Sequence, residues 1–425
     1  MTDSMPLPTT TYEADPSHVH RVLLLYSGGL DTSVMLKWIQ EQYQAEVVAL
    51  TVNLGQPGED YEVIRGKALH LGALDCHVVD AREEFAREYV VPAIKANGTY
   101  GLGYPLFTAL GRPLIAKLAV QYARESGCDT IAHGCTGKGN DQVRIDATVA
   151  TLGPELKVIA PVRGWRMGRE EEMAYAREHG IPIKTFPTQP GSEVAPYSID
   201  DNLWGRSSEG RWIEELDHAP EDDVFQLVTR PEEAPDSAEI VTVEFERGVP
   251  VALNGERLEL VSLLERAGEI GARHGVGIVD HIEDRIVGLK VRDIYEVPAA
   301  TILLLAHREL EKLVGTIHQN QLKPMLDQQW AYLVYAGLWW DPLRGDLDAY
   351  MEAANSQVTG TIGIKLYKGS ARVVTRYSPH AVYDAQLATF AESGGLFAQA
   401  ASPGFIELWS LQSRMAWRLR DSDRG

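Results

Sequence analysis

Two glycine-rich loops hold the side chains best suited to chemistry. The first, YSGGLDTS, runs from Tyr26 to Ser33. Its adjacent glycines, Gly28 and Gly29, let the backbone turn sharply and meet a ligand without a Cβ in the way. The helix expected after it points unpaired N–H groups at the same spot, and Ser27, Thr32 and Ser33 add hydroxyls, so the loop suits an anion such as phosphate. Asp31 puts a carboxylate into that anion site; a divalent cation bridging it to phosphate oxygens reconciles the two. A tight strand–helix turn capped by Asp or Thr accounts for any one of these residues, but not for all eight together after a buried strand. The loop is neither GxGxxG nor GxxxxGK[ST]. The second loop, HGCTGKGNDQVR, runs from His133 to Arg144 and carries Gly134, Gly137 and Gly139. Asp141 and Arg144 share one helix face at i, i+3. They read either as an ordinary surface pair, worth little, or as a grip on a zwitterion, with Arg144 on its carboxylate and Asp141 on its ammonium group. Lys138 is a phosphate ligand or a solvated tip. His133, His274 and His281 have no zinc-like spacing.

These loops need a frame. RVLLLY (21–26) is a continuous apolar run, and EVVALTVN (46–53), DCHVVDA (75–81), DTIAHG (129–134), LKVIAPV (156–162) and IPIKTF (181–186) follow as further strands. Helices are expected at 31–43, at 113–126 (opened by Pro113), at 141–152 and at 170–180. Alternating strands and helices imply an open parallel sheet, with ligands bound beyond the carboxyl ends of its strands. Residues 191–217 read as loop. After a Pro/acidic linker at 229–239 the pattern becomes α+β: antiparallel strands at 240–260 with an Asn254-Gly255 turn, several helices, a hairpin at 361–377, and one last helix at 405–420. That helix carries Phe405, Leu408, Trp409, Met415, Ala416 and Leu419 on one stripe, widened by Ile406 and Trp417, more apolar surface than a solvated helix normally shows.

The 425 residues include 40 Lys+Arg and 60 Asp+Glu, a net charge of −20, which opposes a surface that grips nucleic-acid phosphates. Cys76, Cys128 and Cys135 form no CxxC pair, so a disulfide scaffold is not expected and a reducing cytoplasm is. No apolar run reaches the length of a membrane span. Residues 1–20 are polar, lack a basic start, and read as a loose tail rather than a signal peptide.

SGGLDTS resembles the pyrophosphate-binding loop of the N-type ATP pyrophosphatases. Together with HGCTGKGNDQVR it is similar to the argininosuccinate synthase family. Further stretches agree in order along nearly the whole chain: NLGQ (53–56), VIAPVR (158–163), SIDDNLWGRSSE (198–209), HGVG (274–277), IEDRIVGLKVRDIYE (282–296) and PAATIL (298–303). The resemblance implies a doubly wound, adenine nucleotide alpha hydrolase-like α/β domain at 21–187, an α+β synthetase and multimerisation domain at 188–400, and an oligomerisation helix at 401–425. It implies ATP-dependent joining of L-citrulline to L-aspartate through a citrulline adenylate, with release of AMP and pyrophosphate, in arginine biosynthesis. ATP would be held by Leu25, Tyr26, Ser27, Gly28, Gly29, Leu30, Asp31, Thr32, Ser33, Val52 and Gly134, and Mg2+ would arrive with it rather than on protein side chains. Aspartate would meet Thr136, Asn140 and Asp141. Citrulline would meet Tyr104, Ala109, Asn140, Arg144, Ser198, Ser207, Glu283 and Tyr295. Asp31 and Asp141 are the candidate catalytic residues, Asp141 as acceptor of the amine proton. A cytoplasmic homotetramer with no nucleic-acid or membrane partner is the implied state.

One position departs from the family pattern: Phe107-Thr108-Ala109 puts alanine where a hydroxyl is usual. Without the resemblance, Tyr295 reads as core and Glu283 as charged surface, although a hairpin would bring the two together. A thiolation or amidotransferase-coupled enzyme would want paired or nucleophilic cysteines, and a nucleotide sensor would not need the Ser198, Glu283 and Tyr295 motifs.

Overall fold

The computed structural model describes residues 16–101, 103–165, 167–182, 197–388 and 398–422. Contacts divide the chain into two units, Met1–His380 and Ala381–Gly425.

In the first unit a parallel sheet is built from β1 (Arg21–Leu25), β2 (Glu46–Asn53), β3 (Asp75–Asp80), β4 (Thr130–Ala132) and β5 (Lys157–Ile159), in the order β3-β2-β1-β4-β5. Val22, Leu23 and Leu24 are fully buried, as a strand covered on both faces requires. The order reverses at β1, which pairs with β2 on one side and β4 on the other. Both glycine loops leave the carboxyl ends of these adjacent strands and therefore open on one crevice. Helices Leu30–Gln42 and Asp141–Leu152 follow the two loops. The strand expected at 181–186 falls largely outside the described residues.

The helix expected to open at Pro113 begins at Phe107 and runs to Glu125 with Pro113 inside. Its entry is unusual. Leu106 turns through a left-handed conformation, and the Tyr104 hydroxyl oxygen accepts the N–H groups of Thr108 at 2.9 Å and Ala109 at 3.4 Å. A phenol thus does the work of a Ser or Asp cap, so the usual start signal is missing.

Residues 198–209, expected as loop, form a hairpin of β6 (Ser198–Asn202) and β7 (Gly205–Glu209). It joins β11 (Ile278–Asp284) and β12 (Lys290–Glu296) in a sheet ordered β11-β12-β7-β6. Ser, Asp and Asn dominate its strands, so the hydrophobic alternation that marks a strand in sequence is absent. A third, antiparallel sheet contains β8 (Glu239–Glu246), β9 (Val249–Leu253), β10 (Glu256–Arg257), β13 (Gly360–Tyr367) and β14 (Ser370–Tyr377). Helices Leu260–Arg273 and Pro298–Val314 bury their apolar stripes against it, in one core that also takes in Phe107, Leu110 and Trp330. Helix Ile317–Tyr335 ends beside the hairpin β11–β12 through contacts given below.

In the second unit the single helix expected at 405–420 is two, Ser402–Trp409 and Leu411–Ser422. Ser410 between them turns its hydroxyl back to the Glu407 carbonyl, a contact that bends helices. Phe405 stacks on Trp409, and both side chains are exposed.

Candidate active site

A cleft of about 1290 Å³ opens at the carboxyl ends of β1, β2 and β4. Leu25, Tyr26, Ser27, Gly29, Leu30, Asp31, Thr32 and Val52 line one side, and Gly134 and Thr136 another, with Ser198 also on the wall. The first loop is locked from within. Tyr26 Oη lies 3.0 Å from Ser33 Oγ, whose own proton goes to the Gly29 carbonyl at 2.6 Å. Ser27 Oγ accepts from the Gly29 N–H at 3.3 Å, and Lys67 Nζ donates to the Gly28 carbonyl at 2.9 Å. Gly28 sits at φ +75°, and a Cβ there would stand 2.9 Å from Ile64 Cγ1, so the position needs glycine. Gly29 begins the helix Leu30–Gln42 without a side-chain cap, leaving first-turn amides available to an anion. Gly28 and Ser33 thus shape the loop from behind the wall.

The second loop is braced by a buried trio. His133 Nδ1 accepts the Cys135 N–H at 3.1 Å, so Nε2 carries the ring proton and donates it to Asp146 Oδ1 at 2.8 Å. Arg163 donates to Asp146 Oδ2 at 2.8 Å. The role His133 lacked in the sequence is that of a strut for the loop carrying Gly134.

Behind the cleft wall lies a connected polar network. Asp141 is held between two guanidinium groups: Arg112 Nε donates to Oδ2 at 2.7 Å and Arg144 Nη1 to Oδ1 at 2.7 Å. Arg112 also reaches Asp200 at 2.7 Å. Burial would raise the Asp141 carboxyl, but the two cations outweigh it and hold it down at about 2. In this arrangement the two guanidiniums oppose protonation of Asp141 and make it an anchor for positive charge. Arg144 Nε donates to the Tyr335 carbonyl at 3.1 Å, while its Nη2 is buried and has no partner among the described residues. Asn140 Nδ2 donates to Tyr335 Oη at 2.8 Å. Tyr335 Oη lies 3.1 Å from Glu283 Oε1, and Tyr295 Oη donates to Glu283 Oε2 at 2.9 Å. The hairpin register sets Glu283 opposite Val291 and Tyr295 opposite Val279, which puts Glu283 and Tyr295 on one face. Tyr104 stacks on Tyr295 with ring centres 4.4 Å apart. Ser207 stands opposite Tyr295 on β7.

Tyr104, Asn140, Asp141, Arg144, Glu283 and Tyr295 therefore meet in one cluster adjoining the cleft, bonded among themselves except at Arg144 Nη2. Ala109 does not join them: it is fully buried in the core, and the neighbouring Thr108 lines the cleft with its hydroxyl 2.7 Å from Tyr104 Oη and 3.4 Å from Arg144 Nη1. Four participants are absent from the sequence expectations: Arg112, Asp200, Tyr335 and Asp293. Arg112 could have been found, since it lies on the same helix three residues beyond Ala109. Tyr335, at the apolar C-terminal end of its helix, looks like core. Asp293 lines the cleft, where burial first, and then Glu283 and Glu209, push its carboxyl up to about 7. Arg285 Nη2 donates to Asp293 Oδ2 at 3.3 Å and to Glu209 Oε2 at 2.6 Å.

No cluster of metal-ligating side chains occurs among the described residues. None of their helices is long and apolar enough to cross a membrane.

Two family models match the chain. One, described as the arginosuccinate synthase N-terminal HUP domain, covers residues 21–182; the other, the arginosuccinate synthase C-terminal domain, covers residues 197–416. An argininosuccinate synthase of Rubrobacter xylanophilus is 54% identical over 394 residues, covering 93% of this chain and 94% of that protein. One of Symbiobacterium thermophilum is 49% identical over 93% of this chain and 97% of its own length. One of Pyrococcus furiosus is 47% identical over 94% and 95%. A solved complex of a 4-thiouridine synthetase with RNA and bound ATP aligns over 38% of this chain and 41% of that chain at 18% identity and a TM-score of 0.29, too remote to bear on the site.

Proposed function

Because the chain belongs to the argininosuccinate synthase family, we infer that the cleft and the network beside it are where L-citrulline and L-aspartate are joined at the expense of ATP. The reaction is a C–N ligation yielding argininosuccinate, AMP and pyrophosphate. The ureido oxygen of citrulline attacks the α-phosphorus of ATP and pyrophosphate departs; the aspartate amine then adds to the activated carbon, loses its proton, and AMP leaves. The ureido carbon is a poor electrophile, so activation comes first. No step needs a covalent bond to the protein, and catalysis rests on alignment and on amides aimed at developing charge.

The observation that carries the site assignment is the buried Nη2 of Arg144, which has no partner among the described residues. A buried guanidinium nitrogen without an acceptor is costly, and a substrate carboxylate would satisfy it. Glu283, anionic and fed by two phenols, complements it as the acceptor for an α-ammonium group. Citrulline thus binds between Arg144, Asn140, Glu283 and Tyr295, with Tyr104, Ser198 and Ser207 around it; Thr108 supplies the hydroxyl that Ala109 lacks. Thr136, Asn140 and Asp141 receive aspartate. Residues Leu25 to Ser33, Val52 and Gly134 receive ATP. Asp31, Ser27 and Thr32 offer oxygen donors on the cleft wall that suit a hard cation and would hold magnesium brought by the nucleotide. Bound there, magnesium would supply charge neutralisation for the pyrophosphate leaving group.

Residues 21–187 form the nucleotide domain and 188–400 the synthetase domain. The exposed apolar stripe of the last two helices supports a homotetramer, and the three free thiols support a cytoplasmic setting. A coupled assay tests the whole: AMP and pyrophosphate form in equal amounts and only when both amino acids are present. ADP as the product, or AMP release indifferent to citrulline, would refute it.

A further inference from the structure

Three of the residues assigned to citrulline converge on one residue from a distant part of the chain. Tyr335 closes the helix Ile317–Tyr335 and is fully buried. Its hydroxyl accepts from Asn140 Nδ2 at 2.8 Å and faces Glu283 Oε1 at 3.1 Å and the Asp284 carbonyl at 3.1 Å. Its carbonyl takes the Arg144 Nε–H at 3.1 Å, and the Arg144 guanidinium carbon lies 5.1 Å from its ring centre. The turn just beyond the helix presses equally close: Gly337 has φ +77°, and a Cβ there would stand 3.0 Å from Arg144 Cα. The ring itself is clamped flat against Tyr100, with centres 3.5 Å apart and planes 6° from parallel.

The hydrogen bonds have a direction. The Ile286 N–H donates to Asn140 Oδ1 at 2.9 Å, which fixes the amide so that its Nδ2 points at Tyr335. With its lone pairs engaged by Asn140, the Tyr335 hydroxyl has one proton to give, and Glu283 Oε1 is a charged acceptor in reach. Tyr295 Oη donates to the other carboxylate oxygen, Glu283 Oε2, at 2.9 Å. Glu283 is thus held in one rotamer by two phenols, while the same residue that provides one of them also holds Arg144. A lone aromatic plug would need none of these polar contacts, and a phenylalanine would pack as well.

We propose that Tyr335 is a positioning residue for citrulline: it ties Asn140 and Glu283 to Arg144 and so sets the spacing between the anion that takes the substrate's ammonium group and the cation that takes its carboxylate. This rests on the assignment of citrulline to that cluster. Tyr335 is not placed in contact with the reacting atoms.

The test is Tyr335→Phe, which keeps the ring and its stack and removes only the hydroxyl. Citrulline KM should rise about tenfold, the loss expected for one hydrogen bond to a charged group, with ATP KM unchanged and kcat lowered less than citrulline KM rises. Tyr100→Phe is the control. Its hydroxyl donates to the Asp284 carbonyl at 3.0 Å and its ring keeps the stack, so citrulline KM should stay at the wild-type value. A cycle combining Tyr335→Phe with Glu283→Gln should be non-additive in citrulline KM. An unchanged citrulline KM in Tyr335→Phe, an equal rise for all three substrates, an equal effect of Tyr100→Phe, or strict additivity in the cycle would each overturn the proposal. If the wild-type protein forms no AMP in response to citrulline, the site assignment itself falls.

Discussion

Replacing Arg144 by lysine isolates what the guanidinium fork contributes beyond its charge. Arg144 uses three nitrogens in three ways: Nε holds the Tyr335 carbonyl at 3.1 Å, Nη1 holds Asp141 at 2.7 Å, and Nη2 is the buried nitrogen left for a ligand. A lysine keeps the positive charge but has one nitrogen, and the Asp141 carboxylate is its strongest competitor for that nitrogen. Substrate therefore loses one charged hydrogen bond, about 1.5–3 kcal/mol. At about 1.4 kcal/mol per decade that is about a 10- to 150-fold rise in citrulline KM. Asp141 keeps its pair with Arg112 at 2.7 Å, so aspartate and ATP KM should move by no more than about twofold. Saturation curves for each substrate, with the other two held high, give the three constants. Melting temperature serves as the check on folding, because the Tyr335 carbonyl also loses a donor. A variant with normal citrulline KM, or one in which citrulline and aspartate suffer equally, would refute the assignment of Arg144 even if the overall reaction proved right.

Gly28→Ala forces a side chain onto a left-handed backbone and to within 2.9 Å of Ile64. It should cost about 1–2 kcal/mol in urea unfolding and raise ATP KM more than either amino acid's; an unperturbed ATP KM would contradict the loop's role. Asp293→Asn tests the carboxyl raised from 3.8 to about 7. Below the unfolded value both states are protonated. As pH climbs from there to about 7 the unfolded chain ionises first, so wild-type stability falls, then levels off. The variant should lack that fall, its melting temperature gaining on the wild type across that window and holding its lead above it; parallel curves would remove Asp293 from the account. Truncation before Ser402 removes both helices that carry exposed Phe405, Leu408, Trp409 and Trp417, and light scattering should report particles smaller than a tetramer, whereas an unchanged mass would deny those helices any part in assembly.

What the sequence determined by itself is chemistry carried on contiguous chain. The run Tyr26–Ser33 could be understood from its own residues because glycine freedom, hydroxyl donors and the helix start all act within one turn. The central strands could be read because burial on both faces demands an unbroken apolar run, and RVLLLY has one. The start of the helix at Phe107 could not: its cap is the phenol of Tyr104, a residue type that carries no start signal. The hairpin at 198–209 escaped for a related reason, since strands that present Ser, Asp and Asn lose the alternation by which strands are recognised. Only the tertiary structure decided how the binding groups meet. Arg112, Asp141 and Asp200 span three elements of the chain and are joined by ion pairs of 2.7 Å. Tyr335 reaches Asn140 across 195 positions and Glu283 across 52. The charge environment of Asp141, expected as a proton acceptor, turned on this too. Whether a carboxylate accepts protons or anchors cations depends on what is packed against it, and Arg112, from another helix, joins Arg144 of Asp141's own helix in outweighing the effect of burial. Apart from Asp141–Arg144 at i, i+3, such pairings have no periodicity and no fixed spacing; they exist because packing brings remote side chains within hydrogen-bond range, where a buried charge is tolerated only with a partner.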